Sequence, residues 1–264
     1  MAAFWQSPKG RLLNGLLVLL VTCVVWELAV LLLHIRAFIL PAPSAVLTEL
    51  VRDPLWYVVN AGHTLWETFL GFSLAAVVGV GLAIVVVYVR WIEQTLYTLL
   101  VALNSIPKIA VAPLFILWLG TGIEPKVAIA FMTAVFPIVI SSVLGLRSID
   151  PDMLDLAASL RGSRSQTLWK IRVPNALPGM FSGMKVGISF AFVGTIVGEF
   201  VASSQGLGFI IVTSTATFDT ARIFAAIILL ALIGTALFYA VELVERLLLP
   251  WHVSQRGESH AARV

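Results

Sequence analysis

Six long apolar runs constrain this chain more than any other feature. They lie at about 12–33, 65–89, 95–119, 126–146, 177–199 and 222–248, each interrupted by only a few charges. A helix rises about 1.5 Å per residue, so roughly twenty residues cover the ~30 Å hydrocarbon core of a bilayer. Six such runs within 264 residues leave little material for a separate soluble core. Charged residues make up 12% of the chain, about half the share usual in a soluble domain. The fold class expected is all-α: a polytopic membrane protein, one transmembrane domain over residues 1–264, with six spans in contact with the lipid bilayer.

The first run is too long for the core of a signal peptide, and no small-x-small cleavage motif directly follows it, so it reads as an uncleaved span. Leu40-Pro41-Ala42-Pro43-Ser44 then breaks the chain, and Ser44 to Leu50 begins a short amphipathic helix at the interface. Trp56, Tyr57 and Trp66 suit an interfacial aromatic belt. The third run carries Pro107 and Pro113 and should kink or unwind. A break of that kind survives in a membrane only where protein or a wet cavity satisfies the freed backbone groups. The fourth run contains Pro137. Residues 203–217 are rich in Gly, Ser and Thr. They fold back into the outer half of the bundle or form a surface loop, and Leu207 with Phe209 to Val212 argues against free exposure.

Six spans place both termini on one side, and the distribution of Lys and Arg decides which side. Eleven of the seventeen (Lys9, Arg11, Arg90, Arg147, Arg161, Arg164, Lys170, Arg172, Arg246, Arg256 and Arg263) fall on one side. Four (Arg36, Arg52, Lys126 and Arg222) fall on the other, while Lys108 and Lys185 lie within spans. Both termini and the loop over 147–176 are therefore expected in the cytoplasm, in a multi-pass protein of the bacterial plasma membrane.

That loop is the long polar interruption of the C-terminal half. Asp150 can cap a helix, and Pro151 suits its first position. Asp152 and Asp155 favour the N-terminal end of the helix dipole. Met153, Leu156, Ala157 and Leu160 recur at helical spacing and form an apolar stripe. Gly162 can end this helix. Ser163 or Ser165 can start a second short helix, which is expected to stop before Pro174 because proline disfavours helical geometry at Val173. Neither helix is long enough to span, so the prediction is a basic, surface-lying helical elbow with an apolar stripe in need of a partner.

This elbow resembles the cytoplasmic coupling loop of permease subunits of ATP-binding-cassette importers. The family pattern is Glu-Ala-Ala, three residues, Gly, and about ten residues later an apolar-x-Leu-Pro. Counted back from Pro174, Asp155 takes the acidic position, Leu156 the first Ala and Ala157 the second. Arg161 stands where the family has Gly, with Gly162 one step late, and Val173 stands for Leu. Asn175-Ala176-Leu177-Pro178, and Gly198-Glu199-Phe200-Val201-Ala202-Ser203-Ser204 through Gly206-Leu207-Gly208, are similar to the branch that imports nitrate, sulfonates, taurine, bicarbonate, pyrimidines or aromatic carboxylates. The resemblance covers about Leu40 to Pro250.

It implies the six-span fold of a type I importer permease and a translocation pathway for a small anionic substrate. It also implies two ATPase subunits, a second permease copy (a homodimer) and a soluble substrate-binding protein. Asp155, Leu156, Ala157, Leu160, Arg161, Gly162 and Arg164 would couple the chain to the ATPase. Arg161, Arg164 and Lys170 would add rim charge or meet anionic lipid.

No residues argue for catalysis. His34, His63, His252 and His260 are scattered without metal-ligand spacing. No phosphate-binding Gly-rich loop ending in Gly-Lys-Ser/Thr occurs, and Gly179-Met180-Phe181-Ser182-Gly183-Met184-Lys185 only imitates one. The chain is expected to be no enzyme, to hold no metal or cofactor and to bind no nucleic acid. ATP hydrolysis would belong to another subunit.

Two sets of residues within the spans remain. Gly183, Gly187, Gly194 and Gly198 fall on one face of the fifth span. Glycine costs about 1 kcal/mol against alanine in a soluble helix, and close helix approach is a better reason for the stripe than substrate contact. Charges inside a bilayer cost at least ~2.5–3.5 kcal/mol on insertion scales, so each needs a partner or water. Glu67, Lys108 and Glu199 are the candidates for the pathway. Glu27 and Glu67 serve either as interhelical partners or in the pathway. Lys108, after Pro107, attracts an anion or pairs with Glu67. Lys185 snorkels toward the cytoplasmic interface. Glu199 anchors the segment that follows it or shapes a gate. A different class of protein, a stand-alone ion-coupled carrier or channel using Glu67, Lys108 and Glu199, is the second reading; it has no need of a capped amphipathic elbow.

Overall fold

The computed structural model describes residues 8–89 and 106–250. Among them lie α1 (Pro8–Leu32), α2 (Pro43–Arg52), α3 (Pro54–Tyr88), α4 (Lys108–Leu119), α5 (Glu124–Arg147), α6 (Pro151–Ser159), α7 (Arg164–Thr167), α8 (Val173–Ala202), α9 (Leu207–Ala216) and α10 (Thr220–Leu248). Five helical rods are long and apolar enough to cross a membrane: α1 from Leu13, α3, α5, the continuous rod Arg164–Val201, and α10. Of the third expected span only α4 falls among the described residues. It begins directly after Pro107 and carries Pro113 inside it.

The second span starts earlier than its hydropathy suggests. Asp53 accepts a hydrogen bond from the backbone N–H of Trp56 at 3.1 Å, and Pro54 sits in the first turn, so the helix nucleates ahead of the apolar run. Trp56 and Tyr57 therefore belong to α3, and Tyr57 is buried.

The bundle is organised around α5, which lies between α3 and α8. Small residues recur every four positions along α3 at Gly71, Ala75, Gly79 and Ala83, all buried. They meet Ala130, Ala134 and Ile138 of α5. On the other side of α5 the four glycines of the stripe, with Gly179, line the α8 contact. A Cβ at Gly183 would come within 2.6 Å of the Ser141 Cβ, one at Gly187 within 2.6 Å of Ile138 Cγ1, and one at Gly194 within 2.9 Å of the Ala130 Cα. At Gly198 and Gly179 it would stand 3.0 Å from the Cα of Lys126 and of Gly145. The two helices run antiparallel, because each step up α8 is matched by an equal step back along α5. Backbones this close maximise dispersion contact where lipid offers no hydrophobic drive for helices to associate.

The elbow differs from expectation at its second half. Asp150 caps α6 as read, accepting from the Asp152 N–H at 3.0 Å. Ser163 opens α7 in a reciprocal capping box with Gln166. The helix does not stop before Pro174. It widens into a π turn over Leu168–Arg172 and runs straight into α8, with Val173 fully helical (φ −62°, ψ −50°) and its N–H bonded to the Leu168 carbonyl. Proline removes a donor and crowds the preceding turn. One extra residue in that turn relieves the crowding, while Leu168 and Ala176, both buried, hold the rod against α3 and α5. The elbow is thus one short helix followed by the first turns of a span, rather than two short helices.

Candidate functional site

Two regions carry the residues singled out from the sequence: the elbow, and a polar core near the opposite end of the bundle.

At the elbow, the two faces of α6 differ in exposure. Ala157 is buried and Leu154 is half-buried. Ala157, expected on the stripe that meets a partner, is buried beside that stripe. The stripe that remains exposed is Met153, Leu156 and Leu160, at 50%, 60% and 75%. Trp169 of the π turn is also exposed, at 58%. An isolated tryptophan beside Lys170 in a polar loop was the sequence signal for it. Asp155, Arg161, Gly162 and Arg164 are all exposed.

The end of α6 explains the displaced glycine. Arg161 takes the left-handed conformation (φ 52°). Its N–H bonds to the Ala158 carbonyl at 2.9 Å, and the N–H of Gly162 bonds to the Ala157 carbonyl at 2.9 Å. This is the Schellman closure, with arginine where glycine usually sits. The family-like geometry is kept at Arg161, and Gly162 is the residue after it. A Cβ at Gly162 would lie 3.0 Å from the Ala157 carbonyl oxygen, so that position is crowded too.

The far end contains a buried polar core. Asn60, Thr64, Glu67 and Thr68 line one face of α3, Lys126 and Thr133 come from α5, and Thr195 and Glu199 from α8. Glu67 forms an ion pair with Lys126. This corrects two readings: Lys126 is a buried partner rather than a surface charge, and Glu67 takes Lys126 rather than Lys108. Both charges lie within contact of one another, so neither faces hydrocarbon unpaired. Lys108 sits half-buried in the first turn of α4.

Glu199 caps the start of α9. Its Oε2 accepts the Gly208 N–H at 2.6 Å, and its Oε1 accepts the Thr64 hydroxyl at 2.7 Å. Thr64 Oγ1 in turn accepts the Leu207 N–H at 3.0 Å, and Asn60 Oδ1 accepts the Gly206 N–H at 2.8 Å. Three successive orphan donors of a half-helix are thus met by side chains of two spans. The glycines make this possible. Gly206 has φ 105°, and a Cβ on Gly208 would stand 2.7 Å from Glu199 Oε2. Residues 207–216 form a packed helix, with Leu207 and Ile210 fully buried among Tyr57, Phe192 and Ala225. The segment folds back rather than forming a surface loop.

The remaining charges are also engaged. Glu27 accepts the Ser44 N–H at 3.0 Å and its hydroxyl at 2.7 Å, at the start of α2. Lys185 reaches Glu245, near the C-terminal end of α10, at 2.7 Å. Arg222 ties α10 to Glu49 of α2 at 2.8 Å. Among the described residues no three His, Cys, Asp or Glu are grouped to hold a metal ion.

Comparison with known proteins agrees with this architecture. The family described as "Binding-protein-dependent transport system inner membrane component" matches residues 71–250. The riboflavin transport system permease protein of Chloroflexus aurantiacus is 38% identical over 244 residues, covering 89% of each chain. The formylaminopyrimidine transport permease protein of Halalkalibacterium halodurans is 30% identical, covering 92% of this chain and 97% of its own. The taurine transport system permease protein of Escherichia coli is 28% identical over 94% of this chain and 93% of its own. Among solved structures, an inward-facing form of the MetNI methionine ABC transporter superposes with a TM-score of 0.65 at 18% identity, covering 73% of this chain and 96% of that one, which is a likeness of fold. The chain belongs to the family of binding-protein-dependent transport system inner membrane components, and is a multi-pass permease subunit of an ABC importer.

Proposed function

We propose that two copies of this chain enclose a pathway, that an ATPase subunit docks on the elbow of each, and that a soluble binding protein delivers substrate to the opposite end. The observation that carries the reading is the two-faced α6: Ala157 is buried and Leu154 half-buried, while Met153, Leu156 and Leu160 are exposed. A capped helix with an exposed apolar stripe transmits force from a soluble partner into the rod α7–α8, to which it is joined by the four residues Leu160 to Ser163. Asp155, Arg161, Gly162 and Arg164 rim this contact. The chain itself hydrolyses nothing in this scheme. Both termini lie in the cytoplasm: with Lys126 paired inside the bundle, the count of cationic residues becomes eleven against three.

The substrate is a small polar solute, an anion or planar heterocycle of the kind named for the relatives that carry riboflavin, formylaminopyrimidine and taurine. Lys108, beside the break at Pro107, draws the anionic group into the pathway. Glu67 and Glu199 shape the wall of that pathway by holding α5 and α9 in place. A carrier driven by ions alone would not need the elbow surface.

Co-purification tests the docking assignment. Leu156→Asp places a charge on the exposed stripe and should abolish association with the ATPase while leaving membrane insertion intact; undiminished association overturns it. Lys108→Ala should lower uptake more than it lowers assembly, and full uptake by the variant refutes the anion-drawing role.

A further inference from the structure

The buried polar core brings together two acids and one cation. Glu67 is 3% exposed and Glu199 1%, and the buried Lys126 pairs with Glu67 Oε1. Thr64, Glu67 and Thr68 share one face of α3. Thr64 donates to Glu199 Oε1 at 2.7 Å, and the Thr68 hydroxyl stands 3.1 Å from that of Thr195 on α8. Glu67 therefore faces the same stretch of α8, and its carboxyl group lies within hydrogen-bonding reach of that of Glu199. Three of the four carboxyl oxygens have donors: Lys126 for Glu67 Oε1, Thr64 for Glu199 Oε1 and the Gly208 N–H for Glu199 Oε2. Glu67 Oε2 is buried, and among the described residues no donor reaches it. The nearby hydroxyl protons are engaged elsewhere: Thr64 on Glu199, Thr68 on the Thr64 carbonyl at 2.8 Å, and Thr195 on the Ala191 carbonyl at 3.2 Å.

We propose that Glu67 Oε2 and the Glu199 carboxyl group hold one proton between them. Fully ionised, the site would carry an uncompensated negative charge, because Lys126 balances only one of two buried carboxylates. Burying such a charge is costly, and two carboxylates side by side cannot both ionise freely. One proton removes the excess charge and supplies the donor that Glu67 Oε2 lacks. It leaves the existing bonds in place, because each carboxyl oxygen has a second lone pair. A metal ion fits less well, since among the described residues no third Asp, Glu, His or Cys joins the two acids. Other titratable groups near the pair are few. His63, one turn before Glu67, is half-buried, and Glu124, at the start of α5, is exposed. The helix α9 brings none, and on α10 Arg222 is held by Glu49 and Glu245 by Lys185. In α4 the titratable residue is Lys108, in the first turn, at the end away from α5. The proton joins α3 and α5, through their ion pair, to the acid that caps α9, and it does so whichever solute is carried.

The test uses the full-length chain in dodecyl maltoside, which has no carbonyl group, with isotopically labelled glutamate carboxyl groups. At neutral pH the wild type should show the infrared C=O band of a protonated glutamic acid, equivalent to one group per chain and shifted both by the label and by deuteration. Glu67→Gln and Glu199→Gln should each abolish it, since Lys126 then balances the single carboxylate that remains. Glu67→Gln is the milder change, because its amide can donate to Glu199 and accept from Lys126. Glu124→Gln should leave the band unaltered. An absent band in the wild type overturns the proposal and makes the pair ionised, bridged by water or balanced by His63. A band that survives either Glu67→Gln or Glu199→Gln overturns it as well, because the proton then belongs to one acid alone. Proton release gives a second reading should Glu199→Gln fail to fold. Unfolding the wild type in weakly buffered neutral detergent should release one more proton to an indicator dye than unfolding Glu67→Gln does, and equal release overturns the site.

Discussion

Removing the Glu199 carboxylate should release the start of α9 before anything else in the bundle. Glu199 is 1% exposed and Thr64 fully buried, so water cannot replace a lost partner there. Glu199→Ala strands the buried Gly208 N–H, now held at 2.6 Å, and leaves the Thr64 hydroxyl, now held at 2.7 Å, only its longer bond to the Asn60 carbonyl at 3.3 Å. A buried donor left without its acceptor costs about 1–3 kcal/mol, which is the loss expected if the site cannot collapse. Glu199→Gln keeps one acceptor oxygen for the Gly208 N–H and so loses less. The Gly206 N–H keeps its Asn60 acceptor in both variants, so the damage is expected from Leu207 onward. Hydrogen exchange of the detergent-solubilised protein reads this directly. Amides of Leu207, Gly208 and Phe209 should exchange at least about tenfold faster in Glu199→Ala, since 1.4 kcal/mol corresponds to a factor of ten, with the glutamine variant between it and the wild type. Amides in the middle of α5 should not change. Unaltered protection at Leu207 to Phe209 in Glu199→Ala would refute the capping argument, because no other acceptor is placed to take the Gly208 N–H.

Two further perturbations test neighbouring claims. Lys126→Met leaves the Glu67 carboxylate buried without its ion-pair partner, and breaking such a pair from one side costs about 3–5 kcal/mol; the combined Glu67→Gln, Lys126→Met variant should recover most of that loss in thermal unfolding, and additive losses would show that the two residues act independently. Arg161→Gly should tighten the end of α6 by about 1 kcal/mol, since a non-glycine residue in the left-handed region costs roughly that much, and it should slow proteolytic cleavage at the loop over 160–163; unchanged cleavage would mean that φ 52° at Arg161 stores no strain.

What could be read from the sequence follows from how far each cause acts along the chain. The caps of the elbow were legible because donor and acceptor lie two or three residues apart: Asp150 with Asp152, and Ser163 with Gln166. The expected stop before Pro174 does not occur because the rule for the residue before proline is local, whereas Leu168 and Ala176 pack the continuous rod on distant helices. Lys126 was misread for a related reason. Counting Lys and Arg treats every cation near a span end as solvated, and its partner Glu67 lies 59 residues earlier in the chain. The small-residue ridge of α3, from Gly71 to Ala83, was visible at four-residue spacing and went unread beside the denser glycine stripe of α8.

The acids within the spans have a common explanation that sequence spacing only hints at. Glu27 and Glu199 both stand close to a helix that does not cross, and each accepts the N–H of a residue in the first turn of that helix: Ser44 of α2 and Gly208 of α9. A short helix folded against spans has four N-terminal donors and little water to meet them. A carboxylate on an adjoining span answers those donors and also favours the positive end of the helix dipole. For Glu199 the trace in the sequence is a glycine pair seven and nine residues later, needed because any Cβ on Gly208 would press on the carboxylate. For Glu27 the trace is a proline at the first position of α2 followed by Ser44, whose hydroxyl adds a second bond. An acid near the end of a span, with a glycine pair or Pro-Ser shortly after it, therefore marks where this chain turns back to lay a short helix against the bundle, and Glu67 departs from that pattern because a lysine rather than a helix start faces it.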